Sequence, residues 1–208
     1  MRPWEIIQKL ETDNSRLFKE SVIAENISDS EFKTGLQYAL DSLVTFGVQQ
    51  VPFSENDGGG LLIEEFYEVA DKLIARELTG NAARDAIEKL SITANSDEWN
   101  DWYRRILIKD LRCGVSVKTV NGVAKGTVPV FGCMLAHDGA KHPKKIKGEC
   151  LVEYKYDGVR VIAIVQNGSA TLYSRNGKLL SNFPHIEEAL SKPEFNNFVF
   201  DGEVMSDD

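Results

Sequence analysis

The sequence predicts an α+β protein in which an all-helical N-terminal domain is followed by an incomplete, mainly antiparallel β domain. Apolar residues recur at helical spacing up to about residue 126. After Pro129 the pattern changes to runs and alternations of Val and Ile, which are typical of strands. We therefore predict a helical domain over 1–130, a basic linker over 131–148 and a β domain over 149–208.

The helical domain is divided by capping and turn residues. A short helix is predicted over residues 3–10, and another begins at the capping-box-like stretch Ser28–Glu31. After the turn-rich loop 54–60, a long amphipathic helix is predicted over 61–78. Further helices are predicted to begin at polar N-cap residues and to end before Gly126; the predicted caps are Asn81, Ser96 and Ser116.

The β domain is predicted from short Val- and Ile-rich segments and from turn signals between them. Asn176-Gly177 is a strong hairpin-turn signal, and residues 185–191 are predicted to form a helical turn. The linker before this domain is irregular and rich in cationic side chains, namely His137, Lys141, His142, Lys144, Lys145 and Lys147. The predicted strands cover residues 149–155, 159–166, 169–174 and 197–205.

Composition restricts the class of protein. The chain has 208 residues, of which 42% are apolar and 27% charged, as in ordinary soluble domains. No apolar run approaches the roughly 20 residues of a membrane span, and the N-terminus does not have the pattern of a signal peptide. The cysteines are far apart, so neither a disulfide framework nor a zinc site is predicted, and a reducing cytoplasm is expected; they are Cys113, Cys133 and Cys150.

Charge is distributed unevenly along a chain whose net charge is −8. Residues 1–100 and 151–208 are acidic, whereas residues 101–150 hold ten Lys and Arg against four Asp and Glu. A basic stripe of this kind is what contact with a phosphate backbone requires. For any single lysine, a solvated surface position is the simpler interpretation. The candidate DNA contacts are Lys109, Arg112, Lys118 and Lys125.

The stretch EYKYDGVR, residues 153–160, carries the strongest chemical signal. It places Lys155, Asp157, Gly158 and Arg160 on a predicted strand, tight turn and second strand. A lysine with cationic neighbours in a dry pocket loses its proton more readily and becomes a nucleophile for a phosphate ester. Glycine permits a sharp turn or the close approach of another group. The alternative is an ordinary β-hairpin with an Asp-Gly turn and solvated strand residues.

The octet resembles the nucleotidyltransferase signature Lys-x-Asp-Gly-x-Arg of DNA ligases, RNA ligases and mRNA capping enzymes. Residues 174–177 (SRNG) and 198–204 (FVFDGEV) resemble the next two motifs of these enzymes in order and spacing. Upstream, residues 75–86 and 108–117 look like segments of the helical DNA-binding domain of bacteriophage ATP-dependent DNA ligases. The resemblance covers nearly the whole chain.

The resemblance implies an ATP-dependent DNA ligase that seals nicks in double-stranded DNA through a covalent lysine–AMP intermediate. It implies ATP and Mg²⁺ as cofactors, a monomeric state, no membrane association, and the cytoplasm, or the host cytoplasm for a viral protein. Lys155 would be the nucleophile and Asp157 would orient the site. Glu153 would read adenine, Arg160 and Glu203 would hold the ribose, Arg175 would lie near the phosphates, and Glu203 is also the predicted metal ligand.

Two alternatives remain open at this point. One is an RNA ligase or a GTP-using capping enzyme, which share the lysine motif. The other is a non-catalytic DNA-binding module that retains a relic of the motif. The family continues beyond the third motif with a metal-binding acidic motif, a lysine-rich motif and an OB-fold domain. We therefore expect a fragment with unpaired sheet edges and negligible nick sealing by itself.

Overall fold

The computed structural model describes residues 1–205, apart from the side chain of Lys145. The end of the predicted β domain, residues 206–208, lies outside the described residues. The chain forms two compact units, a helical unit over Met1–Val130 and a sheet unit that begins at Phe131. Helices followed by an antiparallel sheet confirm the predicted α+β class. Within residues 1–205, no helix combines the length and apolarity that crossing a membrane requires.

Helices supply the regular structure of the helical unit. A π-helical stretch, Trp99–Tyr103, joins two short helical pieces into one continuous helix. The bounds of the helices are α1 Pro3–Glu11, α2 Arg16–Asn26, α3 Ser30–Leu40, α4 Ile63–Ile74, α5 Gly80–Thr93, α6 Ser96–Glu98, α7 Arg104–Leu107 and α8 Val117–Val123.

Helix starts follow capping chemistry with small shifts from the prediction. The predicted cap Ser116 is confirmed, since its side chain accepts from the backbone N–H of Thr119. The cap of α6 is Asn95, one residue before the predicted Ser96. The cap of α5 is Thr79, so the prediction of Asn81 is wrong. The Asn95 side chain accepts from the backbone N–H of Glu98, whereas the Thr79 side chain forms no capping hydrogen bond.

The core of the helical unit is built around aromatic side chains from the π-helical stretch. Trp99, Trp102 and Tyr103 have no exposed surface. Gly35 on α3 makes room for this cluster, because a Cβ atom there would lie 2.1 Å from Cζ2 of Trp102. Phe66 of α4 packs on Tyr103 with ring centroids 4.3 Å apart. Helices α3 and α4 are therefore held on a common aromatic centre.

The sheet unit contains, among the described residues, strands β1 Val159–Gln166, β2 Ser169–Ser174 and β3 Val199–Val204 in the antiparallel order β2-β1-β3. One face of the sheet is apolar and packs on helix α9, Pro184–Leu190. This second core is formed by Val161, Ala163, Leu172, Leu180, Phe183, Ile186, Leu190, Phe200 and Val204.

The predicted strand 149–155 is wrong. Residues 151–157 belong to no strand, and Leu151 and Val152 are 93% and 95% exposed. No neighbouring strand pairs with the segment in the part of the chain that the structure describes, and an isolated strand is not stable in water. The alternative hairpin around Asp157 is not formed either, for the same reason. The other predicted strands are confirmed, with β1 and β2 matching their predicted bounds.

Candidate nucleotide-binding site

Lys155 lies in the irregular segment before β1, together with Glu153 and Asp157. All of these residues are exposed. Within residues 1–205, their side chains form no hydrogen bond or ion pair with the rest of the protein. The structure therefore does not bring Glu153, Lys155 or Asp157 into contact with the other predicted site residues, and their roles stay predictions.

Gly158 fixes the point where this segment joins the sheet. A Cβ atom at Gly158 would lie 2.3 Å from the carbonyl oxygen of Val204, closer than any side chain tolerates. Of the two uses expected for this glycine, the close approach of another group is the one observed. The backbone before β1 is thereby held against the end of β3, three residues from Lys155.

Arg160 and Glu203 face each other across the β1–β3 pair, where they are direct register partners. Asp201 is the register partner of Ile162 and therefore lies diagonally from Arg160 on the same face. We call this side of the sheet the arginine face, defined by Arg160, Asp201 and Glu203. The alternating residues Val161 and Ala163 point to the opposite face, which packs on α9.

Arg160 is held in a fixed orientation by two partners. Its Nε donates to Oδ1 of Asp201 at 2.8 Å and its Nη2 donates to Oδ2 at 2.5 Å, a bidentate ion pair. Its Nη1 donates to the carbonyl oxygen of Met134 at 2.6 Å. The hydrogen bond from Arg160 lowers the pKa of Asp201, and the same bond raises the pKa of Arg160.

The segment Phe131–Met134, which we call the leading segment, contacts the turn that carries Arg175. The Cys133 thiol donates to the carbonyl oxygen of Arg175, with Sγ and O 3.2 Å apart. Phe131 lies over Gly177, where a Cβ atom would be 2.7 Å from the phenyl group. Gly177 has φ +80°, and the backbone turns at the predicted Asn176-Gly177 position. The Arg175 side chain itself is exposed.

Asp201 is a site residue that the sequence analysis missed. The signal was present in the stretch FVFDGEV, because residues two apart on a strand share a face. Asp201 therefore had to lie beside Glu203, the predicted ribose ligand. The ion pair with Arg160 required the β1–β3 register, which the sequence alone did not fix.

A magnesium site at Glu203 stays a prediction. Among the described residues, no group of three or more His, Cys, Asp and Glu side chains is placed to hold a metal ion. Asp201 is engaged by Arg160, so the exposed Glu203 is the carboxylate left on the arginine face. This fits Mg²⁺, which commonly takes one or two carboxylates and completes its coordination with water and substrate phosphates.

Lys109, a predicted DNA contact, is turned toward the protein. Its Nζ donates to the carbonyl oxygens of Tyr38 at 2.8 Å and Asp41 at 2.5 Å, at the C-terminal end of α3. Burial lowers the pKa of Lys109 to about 8, although the nearby Asp41 charge opposes this shift. The ammonium group thus caps α3, a placement that does not support a DNA contact.

The other predicted DNA contacts, Arg112, Lys118 and Lys125, are exposed. Arg112 also lies close enough to Arg104 to add to the effect of burial, which lowers the pKa of Arg104. Arg104 was not predicted as a functional residue. Its guanidinium lies 3.7 Å from the ring centroid of Phe53, a side chain that is 64% exposed. Arg104 is only 8% exposed and its Nε donates to the carbonyl oxygen of Val51, so it does not add to the exposed basic surface around Arg112.

A groove of about 580 Å³ opens in the helical unit between the loop before α4 and helix α5. It contains none of the predicted nucleotide or DNA residues. Apolar, polar and oppositely charged side chains all contribute to it, so its charge indicates no particular ligand. The lining residues are Gln50, Val51, Pro52, Phe53, Ser54, Glu55, Asn56, Arg84, Ile87, Glu88, Ser91 and Ile92.

The chain is similar to known proteins in both sequence and structure. Residues 133–208 match the family described as the ATP dependent DNA ligase domain. Two solved structures, designated Pmar-Lig_Pre. and Pmar-Lig_PreS3, align over 100% of this chain at 46% and 47% identity, with TM-scores of 0.87 and 0.88. The chain covers 51% of each.

A curated relative gives the same result at lower identity. The DNA ligase of Enterobacteria phage T4 is 30% identical over 182 residues, which make up 84% of this chain and 36% of that protein. The chain therefore spans about half the length of the solved relatives and little more than a third of the phage enzyme.

Proposed function

Because the chain belongs to the ATP-dependent DNA ligase family, we propose that it provides the DNA-binding part and the first nucleotide-binding motifs of an enzyme that seals nicks in duplex DNA. The observation that carries the proposal is the arginine face. Arg160 of the first motif and Glu203 of the third meet there as register partners, although they are far apart in sequence.

The proposed chemistry begins at Lys155. Its neutral amine attacks the α-phosphorus of ATP, a nitrogen–phosphorus bond forms, and the bond to the pyrophosphate oxygen breaks. An oxygen of the 5′-phosphate at a nick then attacks the adenylate phosphorus, which breaks the nitrogen–phosphorus bond and releases Lys155. The 3′-hydroxyl finally attacks the 5′-phosphate, and AMP leaves as the phosphodiester bond forms. Mg²⁺ bound with the nucleotide would offset the negative charge that develops on the phosphoryl oxygens.

The position of Lys155 is compatible with this role. It lies three positions before Gly158, whose backbone is held against Val204 at the edge of the arginine face. Three residues of extended chain span at most about 10 Å. The amine can therefore reach a nucleotide on that face when the segment 151–157 lies along the sheet. Arg160 and Glu203 are proposed to hold the ribose, with Glu153 reading adenine and Arg175 near the phosphates.

The helical unit is proposed to bind duplex DNA around the nick. The basic stretch 101–150 presents the exposed side chains of Arg112, Lys118 and Lys125. Such contacts go to phosphates, so we expect binding that is independent of base sequence and weakens as salt is added. Binding to a nicked duplex that did not respond to salt concentration would contradict this part of the proposal.

A labelling assay tests the nucleotide part. The protein is incubated with Mg²⁺ and ATP labelled at the α-phosphate, and covalent label is measured before and after acid treatment. We expect acid-labile label that Lys155→Ala abolishes. Label that persists in Lys155→Ala would defeat the assignment. GTP serves as the comparison nucleotide, because preferential labelling by GTP would favour a capping-type enzyme.

One observation favours a second candidate function. Lys155, Glu153 and Asp157 are exposed, and their side chains form no hydrogen bond or ion pair within residues 1–205. A chain of this kind could bind nicked DNA without forming the adenylate. Salt-sensitive binding of a nicked duplex together with an unlabelled Lys155 would identify such a non-catalytic DNA-binding module. For the 208-residue chain by itself, we expect negligible nick sealing.

A further inference from the structure

The ion pair between Arg160 and Asp201 lies in an environment where it adds little to stability. The Asp201 side chain is 44% exposed and the Arg160 side chain 21%. Ion pairs at such positions contribute little to stability, because water competes for both charges. Its geometry is nevertheless specific, since both carboxylate oxygens are engaged by one guanidinium group.

The ion pair fixes the orientation of the Arg160 guanidinium group. Arg160 uses Nε and Nη2 on Asp201 and Nη1 on the Met134 carbonyl, so the plane of the guanidinium group is fixed from two sides. A guanidinium group has five N–H donors. With three in use, two donors remain for a ligand, and their directions are fixed together with the plane of the group.

The charge of Asp201 also affects Glu203. Glu203 is the direct register partner of Arg160 and contributes to raising the pKa of Arg160, so the two charges interact. If Asp201 lost its charge, Glu203 would be the nearest carboxylate able to pair with Arg160. The guanidinium and Glu203 would then bind each other, and both would be withdrawn from a ligand.

We propose that Asp201 is a positioning residue of the nucleotide site, which holds Arg160 in place and keeps Glu203 free for the ribose. The inference rests on the proposed function, in which Arg160 and Glu203 bind the ribose. Asp201 itself does not contact the nucleotide. It acts through Arg160, and the Met134 carbonyl of the leading segment completes the restraint.

The test compares Asp201→Asn, which keeps the shape of the side chain and removes its charge, with Glu188→Gln, which removes the same charge from an exposed position on α9. In the unliganded 208-residue chain, the Nε–H resonance of Arg160 is measured by NMR. We expect the same chemical shift and exchange rate in the wild type and in Glu188→Gln, and a changed chemical shift in Asp201→Asn, because Arg160 turns from residue 201 to Glu203. An Nε–H resonance in Asp201→Asn with the wild-type chemical shift and exchange rate would overturn the proposal.

Nucleotide titration then separates positioning from a general structural effect. Dissociation constants for ATP, 2′-deoxy-ATP and 3′-deoxy-ATP are measured by chemical-shift changes. We expect Asp201→Asn to weaken ATP binding roughly tenfold, the effect of losing a hydrogen bond to a charged group, and to reduce discrimination against the deoxy nucleotides. A purely structural role would weaken all three equally, and that result would overturn the proposal.

The failure of the proposed function has a different signature. If the wild-type chain binds none of the three nucleotides, the nucleotide site itself is contradicted, and the role of Asp201 falls with it. If the wild type binds ATP and prefers it to the deoxy nucleotides while Asp201→Asn behaves identically, only the assignment of Asp201 is overturned.

Discussion

The helical unit buries the aromatic side chains at its centre, whereas the sheet unit exposes the side chains that are proposed to do its chemistry. In the helical unit, the aromatic residues at the centre of the core, Trp99, Trp102 and Tyr103, have no exposed surface. In the sheet unit, the segment that carries Lys155 is almost fully exposed, with Tyr154 at 89%. The residues that stabilise the core of this chain are therefore different from the residues proposed to do its chemistry.

The stability of each unit can be measured separately, because the tryptophans of the chain all lie in the helical unit. They are Trp4, Trp99 and Trp102. Tryptophan fluorescence during urea unfolding therefore reports the helical unit, whereas hydrogen exchange of the β1 amides reports the sheet unit.

The largest effect is expected at Arg105, which is 8% exposed and joins α1 to α7. Its guanidinium donates to Glu11 at 2.6 Å, to Asp101 at 2.5 Å and to the Leu111 carbonyl. Arg105→Met leaves two carboxylates without their partner, so we expect a loss of about 3 kcal/mol in the helical unit. The measurement is urea unfolding followed by tryptophan fluorescence.

The matched control for Arg105 is Arg16→Met, which removes an arginine that is 70% exposed and paired with Glu20. We expect it to change the unfolding free energy by less than about 0.5 kcal/mol. Equal losses from the two substitutions would show that burial of Arg105 does not strengthen its ion pairs.

Gly35→Ala is expected to cost about 2 kcal/mol by overpacking the core of the helical unit. The added methyl group would meet Trp102 at 2.1 Å and Ile106 at 2.9 Å, both fully buried. Gly122→Ala on α8 is the control, since its nearest neighbour would be Glu20 at 3.8 Å. Because alanine favours a helix over glycine, Gly122→Ala should be neutral or stabilising. A stable Gly35→Ala protein would contradict the observed packing.

The burial of Lys109 predicts that the stability of the helical unit depends on pH. Burial lowers its pKa from 10.5 to about 8 in the folded state. Between these values the unfolded chain holds a proton that the folded chain has released, so stability rises as pH increases. Relative to Lys109→Met, the wild type should gain about 1 kcal/mol between pH 8 and 10, allowing for partial exposure.

The control for Lys109 is Lys33→Met, which removes an exposed lysine from α3. Its unfolding free energy should follow the wild type across the same pH range. If Lys109→Met also tracked the wild type, the ammonium group would not be buried at the end of α3 as described.

The smallest effect is expected at Leu151, which is 93% exposed. Leu151→Ala should change the stability of the sheet unit by less than about 0.5 kcal/mol. Leu172→Ala removes the same atoms from a position with no exposed surface and should cost about 3 kcal/mol. Hydrogen exchange at β1 distinguishes the two. A comparable loss from Leu151→Ala would mean that the segment 151–157 packs on the sheet in solution.

Much of the fold was predictable because local signals agreed with the final packing. Runs and alternations of apolar residues predicted the bounds of β1 and β2, and the helical turn predicted over residues 185–191 is α9, which begins and ends one residue earlier. Helix α2 was not predicted, because it buries only Lys19, Val22 and Ile23 and thus has a weak apolar stripe. The π-helical stretch Trp99–Tyr103 was also missed, since its periodicity differs little from an ordinary helix over one turn.

The candidate site was predictable only in part. Motif matching found Arg160 and Glu203, and the register of β1 with β3 places them together. Lys109 shows why charge alone is insufficient, because a lysine in a basic stretch can equally bind backbone carbonyls. The predicted strand 149–155 has strand-forming residues, but pairing depends on a neighbouring strand, which no local pattern reveals.

The most direct test of the central claim is the position of the adenylate. The part of the relative Pmar-Lig_Pre. that follows the aligned region is fused after Asp208, because the chain covers 51% of that protein. The fusion is treated with ATP and Mg²⁺, and tandem mass spectrometry locates the adduct. We predict one adenylate on Lys155, absent in Lys155→Arg and retained in the exposed control Lys178→Arg. An adenylate on another residue, or one that survives in Lys155→Arg, would contradict the account.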